Sequence, residues 1–178
     1  MPTALIVVDM QQGSFAPRTP RHDAEGLADR LNRLAARVRQ SRGLVVYVQH
    51  DGPPDDPHHP SQPGWRLLPG LEAGEGDRIV RKTSCDAFLD TDLDDVLRRA
   101  GIDRLIVTGC ATDFCVDTTV RSALARRYRT IVPTDGHTTA DRPHLPATKI
   151  IEHHNAVWAA FLSPVGPAVL APCADIEV

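Results

Sequence analysis

The sequence predicts an α/β fold: a doubly wound three-layer α/β/α sandwich with a mainly parallel sheet of about six strands. One observation behind this prediction is alternation, because short runs rich in Val, Ile and Leu alternate with segments whose apolar residues recur at helical spacing. The other is length, because 178 residues are enough for one domain with a substantial core. We therefore expect residues 1–178 to form a single domain whose parallel strands are joined by right-handed crossovers.

The first two strands and the helix between them follow from apolar runs and end signals. Residues 4–8 are predicted to form a buried strand, and a loop containing Gly and Pro follows it. Asp23 is typical of a helix N-cap and Gly43 of a helix end. The helix between them has apolar residues at helical spacing: Leu27, Leu31, Leu34 and Val38. Residues 44–48 form the second predicted strand.

A long loop then separates the second strand from the third. Residues 50–76 are dense in Pro, Gly, Asp and His, and a loop of this length is usually functional or disordered. Residues 78–81 form a short predicted strand that ends at Lys82. Thr91 is suited to cap the next helix, and Gly101 lies just past its end.

The last third of the chain adds three more strands and two helices. Strands are predicted at residues 105–108, 130–132 and 169–170, the last of them at an edge of the sheet. A helix carrying Cys115 in its first turn follows the first of these strands, and residues 146–162 form the final helix. The pattern therefore contains six predicted strands.

Composition excludes several classes of partner. A net charge of −3 leaves no basic surface for nucleic acid, and an aromatic content of 4% does not favour stacking on single-stranded bases. The N-terminal apolar run is interrupted by Asp9 and has no basic flank, so we expect neither a signal peptide nor a membrane span. We therefore expect a cytoplasmic protein whose four cysteines are thiols.

Three chemically complementary residues follow predicted strand ends. Asp9, Lys82 and Cys115 lie at or just beyond the carboxyl ends of separate strands, where parallel sheets bind their ligands. Taken singly, Asp9 could be a loop carboxylate, Lys82 a solvated charge and Cys115 a small buried hydrophobe. Taken together, the carboxylate can accept the thiol proton, and the ammonium and the helix start favour the thiolate. We predict that the three form a catalytic site.

Three sequence blocks carry a family resemblance. ALIVVDMQQ, RKTSCDAF and GCATDFCV resemble, in order and spacing, the motifs of isochorismatase-like cysteine hydrolases, and the resemblance runs from about Leu5 to about Phe161. In that family an Asp, a Lys and a Cys form the catalytic triad, which corresponds here to Asp9, Lys82 and Cys115. The resemblance also implies the doubly wound, mainly parallel sheet predicted above.

The same resemblance implies an oxyanion hole and a substrate pocket. The family has a non-proline cis peptide before the cysteine, here between Cys110 and Ala111, and the N–H groups of Ala111 and Cys115 would hold the oxyanion. Phe15 resembles the aromatic residue of the pocket wall. Further candidates for substrate binding are Phe88, Phe114 and Trp65, each of which could equally be a packing residue.

The histidines bear on whether a metal is present. One branch of the family, the nicotinamidases, holds a metal with an Asp-x-His and a second His in the loop after the second strand. Here His50-Asp51 has the reverse order and His58-His59 follows among prolines, so the pattern is not met. We predict neither a metal nor another cofactor. A metal at His50, His58 or His59 and the role of His137 are left open.

The resemblance implies hydrolysis of a small amide C–N bond through a thioester on Cys115. A vinyl-ether hydrolase of the isochorismatase type is one alternative, but that chemistry does not need the thiol. A non-catalytic redox sensor, with Cys110 near Cys115, is another. Family substrates include nicotinamide, carbamoylsarcosine, maleamate, ureidoacrylate and lactam-type amides, and the sequence does not choose among them. A homodimer or homotetramer is expected on the same grounds.

Overall fold

A computed structural model describes residues 2–15 and 20–178. Its sheet contains seven strands: β1 Thr3–Val8, β2 Leu44–His50, β3 Arg78–Lys82, β4 Arg104–Cys110, β5 Arg129–Pro133, β6 His137–Thr138 and β7 Val169–Ala171. The strand order is β3-β2-β1-β4-β5-β7, with β6 beside the end of β4, and every pairing is parallel. The predicted fold class is confirmed. The two-residue β6 was not predicted because so short a segment has no periodicity to detect.

Helices cover the two faces of the sheet unequally. They are α1 Ala24–Gln40, α2 Leu93–Arg99, α3 Asp117–Ala125 and α4 Ala147–Ala159. On one face α1 packs with the C-terminal segment, and on the other α2, α3 and α4 pack together. Within the described residues, no helix is long and apolar enough to cross a membrane.

Alternation along β1 explains why both faces need covering. Ala4, Ile6 and Val8 point into the core that contains α2 to α4, whereas Leu5 and Val7 point into the core beneath α1. All five side chains are at most 1% exposed. A strand buried on both faces has a continuous apolar run rather than an alternating one, which is the pattern of its sequence.

The start of α1 differs from the prediction. Asp23 precedes the helix in a left-handed conformation (φ 48°), and its side chain makes no capping hydrogen bond. Its carboxylate instead forms an ion pair with Arg30, at 2.8 Å. Asp23 is therefore the N-cap residue, as predicted, but its side chain pairs with Arg30 of the same helix instead of capping the helix N–H groups.

The carboxyl ends of β1 and β4 approach closely because of a glycine. Gly109 pairs with Val8 and has φ 118°, a conformation that L side chains rarely adopt. A Cβ atom at Gly109 would lie 2.1 Å from the Val8 carbonyl oxygen. This close approach places the residue after β1, Asp9, beside the segment that follows β4.

The long loop after β2 is folded back on this end of the sheet. The side-chain amides of Gln11 and Gln49 both donate to the Trp65 carbonyl, at 3.0 and 2.7 Å. A short 3₁₀ turn, Pro63–Trp65, ends at this anchored residue. The predicted loop is thus ordered by polar contacts with the strand ends.

Candidate active site

The three predicted catalytic residues meet at the carboxyl edge of the sheet. Lys82 Nζ lies 2.7 Å from Asp9 Oδ2, 3.3 Å from Cys115 Sγ and 2.9 Å from the Ser84 carbonyl oxygen. The Lys82 side chain is fully buried and that of Asp9 is 7% exposed. One ammonium group therefore contacts both the carboxylate and the sulfur away from bulk water.

Each of the three is placed by the backbone that leads to it. Asp9 follows β1 in a left-handed conformation (φ 47°), and its N–H donates to the Val48 carbonyl of β2. Lys82 is the last residue of β3, paired in register with His50. Cys115 lies in the turn that follows β4, and β4 is paired with β1. The strand order thus brings residues 9, 82 and 115 to one edge of the sheet, and the long Lys82 side chain reaches past β2 to make the contact.

Cys115 lies in a wider segment than the predicted first helical turn. Residues Thr112–Val116, here called the cysteine turn, form a π-type turn, and α3 begins only at Asp117. The Ala111 carbonyl accepts hydrogen bonds from the N–H groups of Phe114 and Val116. The peptide bond between Cys110 and Ala111 is cis, as the resemblance implied. The oxyanion hole formed by Ala111 and Cys115 stays a prediction.

The free site holds a thiol rather than the predicted thiolate. Burial raises the pKa of Cys115 well above its usual value, the Asp9 carboxylate raises it further, and the Lys82 ammonium lowers it only in part. Burial alone would lower the pKa of Lys82, but Asp9 and the Cys115 sulfur more than offset this and raise it. The surroundings of Cys115 therefore favour the thiol over the thiolate, so this sulfur would need a base to act as a nucleophile.

Asp9 is the base that the geometry offers. Its Oδ2 accepts the hydrogen bond from Lys82, whereas Oδ1 is buried and has no hydrogen-bond partner among the described residues. A buried carboxylate oxygen without a partner is costly, so its retention beside the sulfur indicates a function. Oδ1 is free to accept a proton.

A cavity of about 260 Å³ opens onto these groups. One part of its lining is formed by the proposed reactive groups and their neighbours: Asp9, Cys85, Cys110, Ala111, Phe114 and Cys115. The remaining lining residues are polar or cationic: Ser14, Arg21, His50, His58 and Arg142. Of the four predicted substrate-binding aromatics, only Phe114 is in this lining, where its ring is half exposed beneath the Arg142 guanidinium.

The other three predicted aromatics lie elsewhere. Phe88 is in the core, stacked on Tyr128 with ring centroids 5.9 Å apart. Trp65 donates its Nε1–H to Asp51 at 2.7 Å and packs under Arg81, so its own loop holds it. Phe15 packs against the core beneath α1. Tertiary packing thus places these rings outside the cavity lining.

Sequence reasoning missed much of the cavity wall. Ser14, Arg21 and Arg142 belong to loops without any motif, and only the folded chain places them near Cys115. Cys85, for which the sequence suggests no role beyond packing, is exposed and lines the cavity. A signal was available for Cys85, because it follows Lys82 by only three residues at the same strand end.

The comparisons with known proteins agree with this arrangement. Residues 3–160 match the profile described as the isochorismatase domain. The chain belongs to the isochorismatase family. It is 40% identical over 143 residues to a streptothricin hydrolase of Streptomyces noursei, a match that covers 80% of this chain and 57% of that relative. The chain thus spans little more than half the length of this curated relative.

Two further members of the isochorismatase family are informative. A ureidoacrylate amidohydrolase of Klebsiella pneumoniae is 30% identical over 170 residues, covering 75% of this chain and 72% of the relative. The crystal structure of N-carbamoylsarcosine amidase from Thermoplasma acidophilum superposes with a TM-score of 0.78 at 27% identity, covering 100% of both chains. The predicted family resemblance is confirmed.

Thr112 and Asp113, which the sequence suggests as helix caps, instead anchor the cysteine turn. Thr112 Oγ1 lies 2.9 Å from His137 Nδ1, and Asp113 forms an ion pair with Arg142 at 2.9 Å. His137 Nε2 lies 3.0 Å from Asn155 Oδ1, and burial lowers the pKa of this histidine to about 4. His137 is therefore neutral and structural, and it lies outside the cavity lining.

The loop histidines can be judged against the metal-binding branch of the isochorismatase family. The loop contains an Asp-x-His that the sequence reasoning overlooked, at Asp56 and His58. Both ring nitrogens of His58 already have protein partners, Asp56 Oδ1 at 2.8 Å and Ser14 Oγ at 2.9 Å. Within residues 2–15 and 20–178, no group of three or more His, Cys, Asp or Glu side chains is arranged to hold a metal ion. The described residues do not fit that metal site.

Proposed function

We propose that this chain hydrolyses the C–N bond of a small amide, with Cys115 as the nucleophile and a thioester as the intermediate. The observation that supports this most strongly is the position of Lys82 Nζ, within 3.3 Å of both Asp9 Oδ2 and Cys115 Sγ. A buried carboxylate, ammonium and thiol in mutual contact beside a cavity have the chemistry of an activated nucleophile. The hydrolase and amidase names of the relatives support the same reaction class.

The first half of the reaction forms the acyl-enzyme. Asp9 Oδ1 takes the Cys115 proton as the sulfur attacks the substrate carbonyl, and the Lys82 ammonium stabilises the negative charge that forms on sulfur. The N–H groups of Ala111 and Cys115 hold the oxyanion, a contribution of about 3 kcal/mol per donor in comparable sites. The C–N bond then breaks, and Asp9 returns the proton to the departing amine.

The second half removes the acyl group. Water enters the position that the amine has left, and Asp9 now takes a proton from the water as its oxygen attacks the thioester carbonyl. The tetrahedral species collapses with cleavage of the C–S bond, the acid leaves, and Cys115 regains its proton. Lys82 stays an ammonium throughout, so each step moves one proton while the total charge of the site is conserved.

The two alternatives are less consistent with the site. A vinyl-ether hydrolase has no use for a thiol in contact with Lys82. A redox sensor that pairs Cys115 with Cys110 would need a reactive second thiol, but Cys110 is 2% exposed and burial raises its pKa to about 12. Such a thiol is poorly suited to resolving an oxidised partner. Cys85, which shares the cavity lining, is the cysteine better placed for that chemistry.

A panel of small substrates tests the proposed reaction. We expect turnover of at least one member of a panel of primary amides and ureido acids, measured by ammonia release, and lactams, measured by ring opening. We expect no turnover of a vinyl ether. Peroxide treatment followed by mapping of disulfides tests the sensor alternative in the same preparation. Vinyl-ether cleavage without any amide turnover would contradict the proposal, as would an inert protein that forms a reversible Cys85–Cys115 disulfide.

A further inference from the structure

We propose that Arg21 binds an anionic group of the substrate, so that the amide cleaved at Cys115 also carries a carboxylate or a group of equivalent charge. This inference rests on the proposed amide hydrolysis and deepens it, because it names the substrate class. The evidence for it comes from the cavity wall that faces the reactive groups. The proposed catalytic mechanism does not use this wall.

The charges around the cavity are unbalanced. Two guanidinium groups, those of Arg21 and Arg142, are in its lining together with the imidazoles of His50 and His58. The lining contains a single acidic residue, Asp9, and that carboxylate is bound to the Lys82 ammonium. The described part of the cavity therefore presents net positive charge to its contents, which favours an anion.

The two arginines differ in the hydrogen-bond partners that their guanidinium groups already have. Arg142 forms a bidentate pair with Asp113 at 2.9 and 3.0 Å, and its guanidinium lies over the Phe114 ring. Arg21 is engaged only through Nε, which donates to the Ser14 carbonyl at 2.7 Å. Among the residues that the structure describes, no carboxylate lies within 4.0 Å of Arg21, and its two Nη atoms have no hydrogen-bond partner. Those donors remain available to a ligand.

A chain of hydrogen bonds holds Arg21 in place. Ser14, whose carbonyl receives the Arg21 Nε–H, lies with its hydroxyl 2.9 Å from His58 Nε2. His58 Nδ1 in turn lies 2.8 Å from Asp56 Oδ1. Because the Asp56 carboxylate can only accept, His58 Nδ1 donates to it, and this bond fixes the orientation of the ring against Ser14. The guanidinium is thus positioned before any ligand arrives, which lowers the entropy cost of binding.

The size of the cavity limits the ligand. At about 260 Å³ it lies below the range of about 300–1,000 Å³ typical of sites for drug-sized molecules. Arg21 and Cys115 line this same small space. The anionic group and the scissile carbonyl must therefore be close to each other in one small molecule, with a spacer of a few atoms between them.

Alkylation of Cys115 tests the anion site independently of any hydrolysis. Iodoacetate and iodoacetamide are similar in size and differ in charge, and peptide mass spectrometry assigns the alkylated cysteine. We expect the rate ratio of iodoacetate to iodoacetamide at Cys115 to exceed that of a free thiol such as mercaptoethanol by at least tenfold. The preference should weaken as salt is added, since the attraction is electrostatic.

Variants of Arg21 assign the preference to this side chain. Arg21→Gln should lower the rate ratio about 10- to 100-fold, the loss expected when hydrogen bonds to a charged group are removed, and Arg21→Lys should keep part of it. Arg99→Gln is the matched control, because Arg99 lies on the exposed side of α2 and pairs only loosely with Asp95, at 3.8 Å. An unchanged ratio in folded Arg21→Gln, or an equal loss in Arg99→Gln, would overturn the proposal.

A substrate series separates this inference from the proposed function. We expect succinamate, which carries a carboxylate, to have a kcat/KM at least tenfold above neutral succinamide, with cationic β-alaninamide the poorest. Equal turnover of the three would leave amide hydrolysis standing and remove the anion site. Conversely, no turnover of any amide together with a strong, Arg21-dependent iodoacetate preference would leave the anion site standing and remove the proposed function.

Discussion

Cys115→Ala should lose at least about 10⁴-fold in kcat, because it removes the proposed nucleophile, the sulfur in contact with Lys82 Nζ. The folded state should survive, because one small side chain replaces another and the Cys115 sulfur is only partly buried among its neighbours. Ammonia release measures the activity, and the midpoint of thermal unfolding measures the stability.

Cys173→Ala provides the matched control for this variant. Cys173 is a buried thiol in the core beneath α1, and it is absent from the lining of the cavity. Its substitution should leave turnover unchanged at a modest cost in stability. Retention of turnover in Cys115→Ala would remove the nucleophile from the account, and an equal loss in both variants would indicate a structural role for the thiols.

The second large effect concerns the buried ion pair. Lys82→Met should lower kcat at least about 10²-fold, because the thiolate and the transition state lose their nearest positive charge. It should also destabilise the fold by about 3–5 kcal/mol, the usual cost of leaving one member of a buried pair uncompensated. The loss of stability should be large because the Lys82 side chain is fully buried and its ammonium bonds directly to Asp9.

A double variant separates the two effects. Asp9→Asn combined with Lys82→Met removes both charges, so it should recover most of the lost stability and none of the activity. Chemical denaturation of the two single variants and the double variant gives the coupling free energy. Additive losses of stability, or a double variant that turns substrate over, would contradict the role assigned to the pair.

The three proposed catalytic residues could be selected from the sequence because strand ends are predictable. Asp9 and Lys82 each end an apolar run, and parallel pairing brings such ends to one edge of the sheet. The three sequence blocks then indicated the family to which the chain belongs. The strand order accounts for placing positions 9, 82 and 115 at one edge of the sheet, whereas their contact depends on the Lys82 side chain, which reaches past β2.

The cavity wall could not be predicted in the same way. Arg21 is positioned by Ser14, which is itself held by His58 from a loop more than forty residues away. Phe88 was a candidate for the pocket wall with packing as the alternative, and its ring packs on Tyr128. These outcomes depend on long-range contacts that have no periodicity and no local motif.

The charge state of Cys115 also differs from what the sequence predicts. A cysteine expected at a helix start beside an ammonium favours the thiolate on local grounds. In the folded protein, burial and the Asp9 carboxylate outweigh the ammonium and raise the pKa of the thiol. Burial is a property of the whole fold that the sequence did not reveal, and it increases the need for the proton transfer to Asp9 that the sequence already suggested.

The central claim is that a covalent bond forms between the Cys115 sulfur and the acyl part of the substrate. Mixing the protein with a turned-over amide, quenching in acid within the steady state and measuring the intact mass tests it directly. The account predicts a mass increase equal to the acyl group, mapped to the peptide containing Cys115 and reversed by hydroxylamine. Turnover with no adduct, and with ¹⁸O from labelled water incorporated as rapidly in Cys115→Ala as in the natural protein, would contradict it.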